Sequence, residues 1–257
     1  MNTTVERELA RPRRPALPRP GAMRMAATEY GRFAAQLGEL RPDDWRRPTA
    51  CPDWDVHAMS CHVLGMAEFA ASPVEQLRQS WAARRRGGFF LDALTALQVE
   101  KHQARTGTDI AARLAAAGPR AARGRARTPA LLRGRRLGGQ PVDDTGRQTE
   151  DWTVGYLTDV ILTRDTWMHR SDIALAAGRP LRLTAGHDGV LVADVAAEWA
   201  QRHGQPCRLT LTGPAGGSWT WGGDGPALEL DAVEFCRVLS GRGASAAAGL
   251  LATRVPF

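Results

Sequence analysis

The spacing of apolar residues changes once along this chain, at Pro180, and this change constrains the fold more than any other feature. Before Pro180, apolar residues recur every three or four positions, which is typical of amphipathic helices. After it, short β-rich runs alternate with helical stretches and glycine-rich turns. We therefore predict an α+β protein, with a helical bundle in residues 22–180 and a small α+β domain in residues 181–257.

Prolines and glycines divide the helical part into segments. Four main helices and one long crossover would form a bundle. The apolar spacing predicts helices from Ala22 to about Leu40, from an Asp53 N-cap to about Ala71, over 73–86, over 89–117 as one or two helices, and from about Glu150 to Ala177.

The C-terminal part mixes the two periodicities. LRLTA (181–185) alternates like a strand, and residues 186–204 form an amphipathic helical pattern. The segment 206–223, PCRLTLTGPAGGSWTWGG, contains two β-rich runs joined by a turn and predicts a hairpin. ALELD (227–231) predicts a further strand, and AVEFCRVLSGR (232–242) a helix that ends at glycine.

The formal charge of +7 is concentrated in two segments. Residues 1–20 carry five arginines, and residues 118–140 carry seven arginines and no acid, whereas the rest of the chain is mildly acidic. We predict that residues 1–21, with four prolines and no periodicity, form a disordered arm and that 118–140 is a loop. Arginines in these segments could contact phosphates non-specifically, but no recognition motif predicts specific nucleic-acid binding.

Composition also bears on location. No apolar run is long enough to span a membrane, and prolines interrupt the place where a signal peptide would need its apolar core. The four cysteines show no CxxC spacing, as expected for free thiols in a reducing compartment. We therefore expect a cytoplasmic protein. Either Cys51 or Cys61 could also be a metal ligand.

The segment TRDTWMHRSDIALAAG (163–178) carries the first candidate site. Asp165 and His169 are four residues apart, so in a helix they share a face and could bind one divalent ion. Asp172 lies on the same face and could orient a histidine. Two other interpretations are open: Asp165 could accept a hydrogen bond from His169, or it could pair with an arginine of another helix.

The second candidate lies in CPDWDVHAMSCHVLG (51–65). His62 stands among apolar residues, where a histidine can be either a metal ligand or a hydrogen-bonded core residue. His57, five residues earlier, points away from it and is expected at the surface or in a cap. In a bundle, ligands from facing helices assemble one site, which would add His62 to Asp165 and His169.

Three segments of the sequence resemble the mycothiol-dependent maleylpyruvate isomerase family of DinB-like four-helix-bundle metalloenzymes. WRRPTACPDWDVHAMSCHVLG resembles its N-terminal signature, and LTRDTWMHRSDIALAAGRP resembles its acid–x₃–His signature. AVEFCRVLSGRG resembles the segment that closes its small C-terminal domain. The resemblance covers residues 22–257 and implies a divalent metal, usually zinc, bound by His62, Asp165 and His169. Asp165 replaces the glutamate expected in this family, so the metal would lie closer to the helix or bind through water.

The resemblance implies a metalloenzyme of the isomerase or transferase type. Its metal would activate a thiolate, that of mycothiol, or a water, and its substrate would be a small molecule. Two alternatives are open: a non-catalytic binding or regulatory protein on the same bundle, and a metal-dependent hydrolase that needs no thiol. The sequence indicates no general acid or base.

Overall fold

The computed structural model of the protein describes residues 17–138, 150–243 and 248–257. The described chain is mostly helical, with a small three-stranded mixed sheet near its C-terminal end, which confirms the α+β prediction. It forms two compact units. The first comprises the described residues up to Gly38 together with Ala58–Thr163, and the second comprises Glu39–His57 and Arg164–Phe257. The division at residue 180 stays a prediction.

Where the structure describes it, the first unit is built mainly from helices. Its core forms where α1 packs along α5, with Tyr30, Phe33 and Leu37 buried from one helix and Ile110 and Leu114 from the other. The helices are α1 (Arg19–Gly38), α2 (Val56–Ala71) from Ala58 onward, α3 (Pro73–Arg86), α4 (Phe90–His102), α5 (Gly107–Ala126), α6 (Ala130–Arg133) and α7 (Val154–Tyr156), followed by a π turn over Leu157–Ile161.

Helices α1 and α2 do not begin where the sequence predicted. Helix α1 begins at Arg19, not at Ala22, so the disordered arm predicted for 1–21 is wrong at its end, and its remainder, 1–16, lies outside the described residues. Helix α2 begins at Val56, so Asp53 is not its N-cap. The reason is local: the Trp54 amide donates to the Cys51 carbonyl, and Pro48 and Asp55 form an isolated β-bridge.

The arginine-rich segment is largely structural where it is described. Helix α5 continues through Pro119 to Ala126, into the predicted loop 118–140. Arg125 is buried and donates to the Thr158 carbonyl at 2.6 Å, and Arg133 pairs with the buried carboxylate of Asp159. Both guanidinium groups therefore connect α5 and α6 to the π turn over Leu157–Ile161, and the pairing offsets the cost of burying Arg125.

Close contact between α2 and α5 depends on Gly124, because a Cβ there would lie 2.0 Å from the Ala70 carbonyl oxygen. We expect Gly124→Ala to lower the free energy of unfolding by about 1–3 kcal/mol through overpacking. Gly31→Ala is the matched control, since Gly31 lies within α1 with no other atom near its Cβ position. It should gain about 0.5–1 kcal/mol. Denaturant titration measures the free energy of unfolding of both variants. If Gly124→Ala were as stable as Gly31→Ala, the close contact between α2 and α5 would be contradicted.

The second unit combines helices and the sheet. Trp167, Trp199 and Phe235 are fully buried in its core, where Trp199 meets Phe235 edge-on at 5.4 Å between ring centroids. Its elements are a 3₁₀ turn (Pro42–Arg46), α8 (Leu162–Ala176) from Arg164 onward, a π turn (Ala185–Gly189), α9 (Val190–His203), β1 (Cys207–Thr212), β2 (Gly217–Trp221), β3 (Ala227–Asp231), α10 (Ala232–Ser240) and a 3₁₀ turn (Gly249–Ala252).

The sheet has the order β2-β1-β3. Strands β1 and β2 form the predicted antiparallel hairpin, with Leu209 opposite Trp219. Strand β3 pairs with β1 in parallel, with Leu209 opposite Leu228. The predicted C-terminal helix is also present: Asp231 caps α10, and Gly241 ends it with a positive φ of 88°.

The strand predicted for 181–185 is not formed. The Asp188 carboxylate accepts hydrogen bonds from the Thr184 amide, at 2.7 Å, and from the Thr184 hydroxyl. These bonds turn the chain into the start of a helix instead of extending it. Among the described residues, no helix has the length and hydropathy needed to cross a membrane.

Candidate metal centre

Two buried arginines, ion-paired to three carboxylates, fix helix α8 in the second unit. Arg164 is 2 % exposed and pairs with Asp194 at 2.6 Å and Glu198 at 2.8 Å, both on α9. One turn and a half later, Arg170 pairs with Asp188 at 2.5 Å. These bonds hold the remaining face of α8, which carries the candidate site, in one rotational setting.

Asp165 and His169 meet on that face. The Asp165 Oδ1 atom lies 3.3 Å from the His169 Nε2 atom, and the His169 side chain is only 4 % exposed. This distance suits an ion pair or hydrogen bond. It also equals the separation, about 3.3 Å, between two ligand atoms of a tetrahedral zinc ion with bonds near 2.0–2.1 Å. The spacing between Asp165 Oδ1 and His169 Nε2 is therefore compatible with two ligands of one ion.

Asp172 lies behind His169. Its Oδ2 atom is 3.5 Å from His169 Nδ1, and its side chain is fully buried. Arg237 donates to Asp172 Oδ1 at 2.9 Å, and Arg242 donates to Oδ2 at 3.1 Å. Asp172 thus has the position of a carboxylate that orients a ligating imidazole, and two arginines offset the cost of its burial.

The carboxylates determine the charge of His169. Burial acts to lower its pKa, but Asp165, together with Asp172, raises the pKa of His169 to about 9. Without a metal, His169 therefore carries a positive charge at neutral pH. A cation bound at His169 Nε2 would replace the proton on that nitrogen and would meet the Asp165 carboxylate, while Asp172 faces Nδ1.

The segment before α2 supplies two more neighbours within the second unit. The Trp54 and His169 rings lie 6.0 Å apart between centroids. Ligand atoms of Cys51, His169 and Asp172 all lie within 4.8 Å of one another, so Cys51 is an alternative donor. Burial raises the pKa of the Cys51 thiol. The segment is held by Asp44, which is buried and pairs with Arg179 at 3.1 Å.

His62 belongs to helix α2 of the first unit and is 4 % exposed. Its Nδ1 atom lies 2.8 Å from Gln98 Oε1, a contact between α2 and α4. Its assignment as the third ligand stays a prediction. Cys61 is buried and forms no disulfide bond. His57 is half-buried in the second unit, where its ring contacts Trp45 edge-on.

Sequence reasoning missed four polar residues around these histidines. Arg237 and Arg242 lie in the C-terminal motif AVEFCRVLSGRG, which signals that segment without showing that its arginines reach Asp172. Gln79 and Gln98 lie in ordinary amphipathic helices, and no sequence signal distinguishes them from exposed glutamines.

The fold and these donors define a mostly helical α+β protein with a candidate histidine–carboxylate metal centre. Residues 26–174, more than half of the chain, match the family described as the mycothiol maleylpyruvate isomerase N-terminal domain. The chain belongs to this family.

Two solved structures are similar in fold. The crystal structure of the mycothiol-dependent maleylpyruvate isomerase matches with a TM-score of 0.53 and 15 % identity, covering 89 % of this chain and 91 % of that chain. A mutant of that isomerase matches with a TM-score of 0.50 and 14 % identity over the same shares. At these identities the likeness concerns the fold alone. None of the curated proteins matches the sequence.

Proposed function

We propose that this protein is a metal-dependent enzyme that uses a low-molecular-weight thiol, mycothiol, to isomerise or transfer a small substrate. We assign a divalent metal, zinc, to His62, Asp165 and His169. The observation that carries the proposal is the 3.3 Å approach of Asp165 Oδ1 to His169 Nε2, backed by Asp172. Family membership and the resemblance of the fold to that of a mycothiol-dependent isomerase support it.

The donor set suits zinc, which takes imidazole nitrogens and carboxylate oxygens as ligands. Three protein ligands leave a coordination position open, as in catalytic rather than structural zinc sites. When bound, such a metal lowers the pKa of a coordinated thiol or water and so supplies a nucleophile near neutral pH.

The chain's own residues position this chemistry. Asp172 orients His169 and is itself held by Arg237 and Arg242. Trp54 packs near the His169 ring and limits how the imidazole can turn. The α8–α9 ion pairs keep Asp165 and His169 on one fixed face, so the ligands need little reordering when a metal binds.

The test is metal analysis followed by a coupled assay. Protein purified without a histidine tag should contain about one divalent ion per chain. It should isomerise maleylpyruvate, or conjugate a related electrophile, only when mycothiol is present. Protein stripped with a chelator should lose this activity and recover it with zinc.

Three results would argue for other functions. Bound metal with thiol-independent ester or amide hydrolysis would indicate a hydrolase. Failure of natively folded protein to bind zinc, cobalt or nickel would contradict the metal site. A metal-free protein with tight ligand binding would indicate the non-catalytic alternative.

A further inference from the structure

A continuous row of buried polar side chains connects His62 to the surface of the first unit. His62 Nδ1 lies 2.8 Å from Gln98 Oε1, and Gln98 Nε2 lies 2.9 Å from Gln79 Oε1. Gln79 Nε2 in turn lies 2.8 Å from Glu75 Oε1. Gln98 and Gln79 are 1 % and 4 % exposed, so these bonds have little competition from water.

At the outer end of this row, it is fixed which group donates and which accepts each hydrogen bond. Glu75 accepts a bond from Arg78 at 2.7 Å and another from Lys101. The hydrogen bond from Arg78, helped by Lys101 and Gln79, holds the pKa of Glu75 well below its ordinary range. An ionised carboxylate can only accept hydrogen bonds, and so can the Gly65 carbonyl, the second partner of Gln79 Nε2 at 3.2 Å.

The donor and the acceptor of each hydrogen bond further inward follow from this outer end. Because both acceptors face the Gln79 amide nitrogen, its oxygen must face Gln98. Gln98 must therefore present its nitrogen to Gln79, and its second N–H points to the Met66 sulfur at 2.9 Å. The Gln98 oxygen is left facing His62, and an oxygen there requires a proton on His62 Nδ1.

We propose that Gln98, Gln79 and Glu75 are positioning residues that fix His62 as its Nδ1–H tautomer, so that Nε2 is the ring nitrogen that binds a metal. The role of this tautomer in metal binding rests on the proposed function, whereas the tautomer itself rests on the hydrogen bonds alone. Ligating histidines ordinarily donate their other ring N–H to an oxygen, and here a glutamine carbonyl takes that role. The orientation of the Gln98 amide is set by Glu75, two side chains further along the row.

The backbone is shaped for this contact. Gly65, one turn beyond His62 on α2, lies against Gln98: a Cβ at Gly65 would be 2.5 Å from Gln98 Cβ. The absence of a side chain there lets α4 approach α2 closely enough for the Gln98 amide to reach the imidazole.

The tautomer can be read directly. A long-range ¹H–¹⁵N correlation spectrum of metal-free, ¹⁵N-histidine-labelled protein separates protonated from unprotonated ring nitrogens, and His62→Gln assigns the signal. We expect His62 to appear as the Nδ1–H tautomer. A dominant Nε2–H tautomer would overturn the proposal, and this measurement needs no variant at the positions in question.

Variants separate a positioning role from a merely structural one. Gln79 does not contact His62, yet Gln79→Met should release the Gln98 amide and produce a mixture of His62 tautomers. Gln76→Met is the matched control, an exposed glutamine on the same helix, and should leave the spectrum unchanged. An unchanged tautomer in folded Gln79→Met protein would overturn the role of Gln79 and Glu75.

Metal titration provides the second measurement. Gln98→Met should weaken zinc binding about 10–100-fold, the usual effect of losing a partner of a ligating histidine. Gln79→Met should weaken it less, and Gln76→Met not at all. If the wild type shows the Nδ1–H tautomer but binds no metal, the proposed function fails while the control of the tautomer stands. If metal binds and the tautomer is Nε2–H, only the tautomer proposal fails.

Discussion

Replacing His169 with alanine is expected to weaken divalent-metal binding by more than about 100-fold, because a lost ligand costs more than the about 10–100-fold lost with a supporting residue. Asp172 keeps both arginine partners in this variant, so the second unit should stay folded. Competition titration with a chromophoric chelator measures the affinity, and circular dichroism checks the fold.

Three further variants test whether this loss is specific to the proposed ligands. His57→Ala removes a half-buried histidine of the same unit that lies outside the proposed ligand set, and it should bind metal normally. Asp165→Asn should lose metal affinity, whereas Asp165→Glu, which introduces the glutamate that the family resemblance implies, should retain it. Normal metal binding by His169→Ala would exclude His169 as a ligand.

The raised pKa of His169 makes metal binding depend on pH. Metal must displace the proton that Asp165 and Asp172 hold on His169, whose pKa is raised to about 9. Apparent affinity should therefore rise with pH and level off above about 9. In metal-free protein the charged imidazole stabilises the fold fully below its ordinary pKa of 6.5, and this contribution is lost as pH rises through about 9.

Asp188→Asn is expected to lower the free energy of unfolding of the second unit by about 3–5 kcal/mol, because it leaves the buried guanidinium of Arg170 without its carboxylate. Asp188 also accepts from the Trp167 indole at 3.0 Å and from Thr184, so one side chain ties α8 to the start of α9. Denaturant titration followed by tryptophan fluorescence measures the loss.

Asp224→Asn is the matched control, since Asp224 is an exposed aspartate of the same unit. Acid should reproduce part of the effect in the wild type. Burial opposes ionisation, but the Thr184 amide and Arg170 hold the pKa of Asp188 below its ordinary value. Its contribution is therefore present above about pH 3.9, the unfolded pKa, and is lost as pH falls through the folded pKa. A variant as stable as the control would show that Arg170 is satisfied elsewhere.

Local patterns accounted for most of the secondary structure. The hairpin over 206–223 followed from β-rich runs around a glycine turn, and the helix over 73–86 from its proline start and apolar spacing. The failures have a common cause. LRLTA alternates like a strand, but the hydrogen bonds that Thr184 makes to Asp188 outweigh that pattern. Arg125 and Arg133 fall in the predicted loop, yet Arg125 is buried and Arg133 is half-buried, because both have hydrogen-bond acceptors within the first unit.

By itself, the sequence determined the features that depend on neighbours along the chain. The four-residue spacing put Asp165 and His169 on one helical face, and the motifs indicated the family. Only the tertiary structure decided what surrounds those side chains. Arg237 reaches Asp172 across 65 positions, and Gln98 reaches His62 across 36. Helical periodicity shows which face a residue occupies, but the partner of a buried polar group depends on which distant segment packs against it.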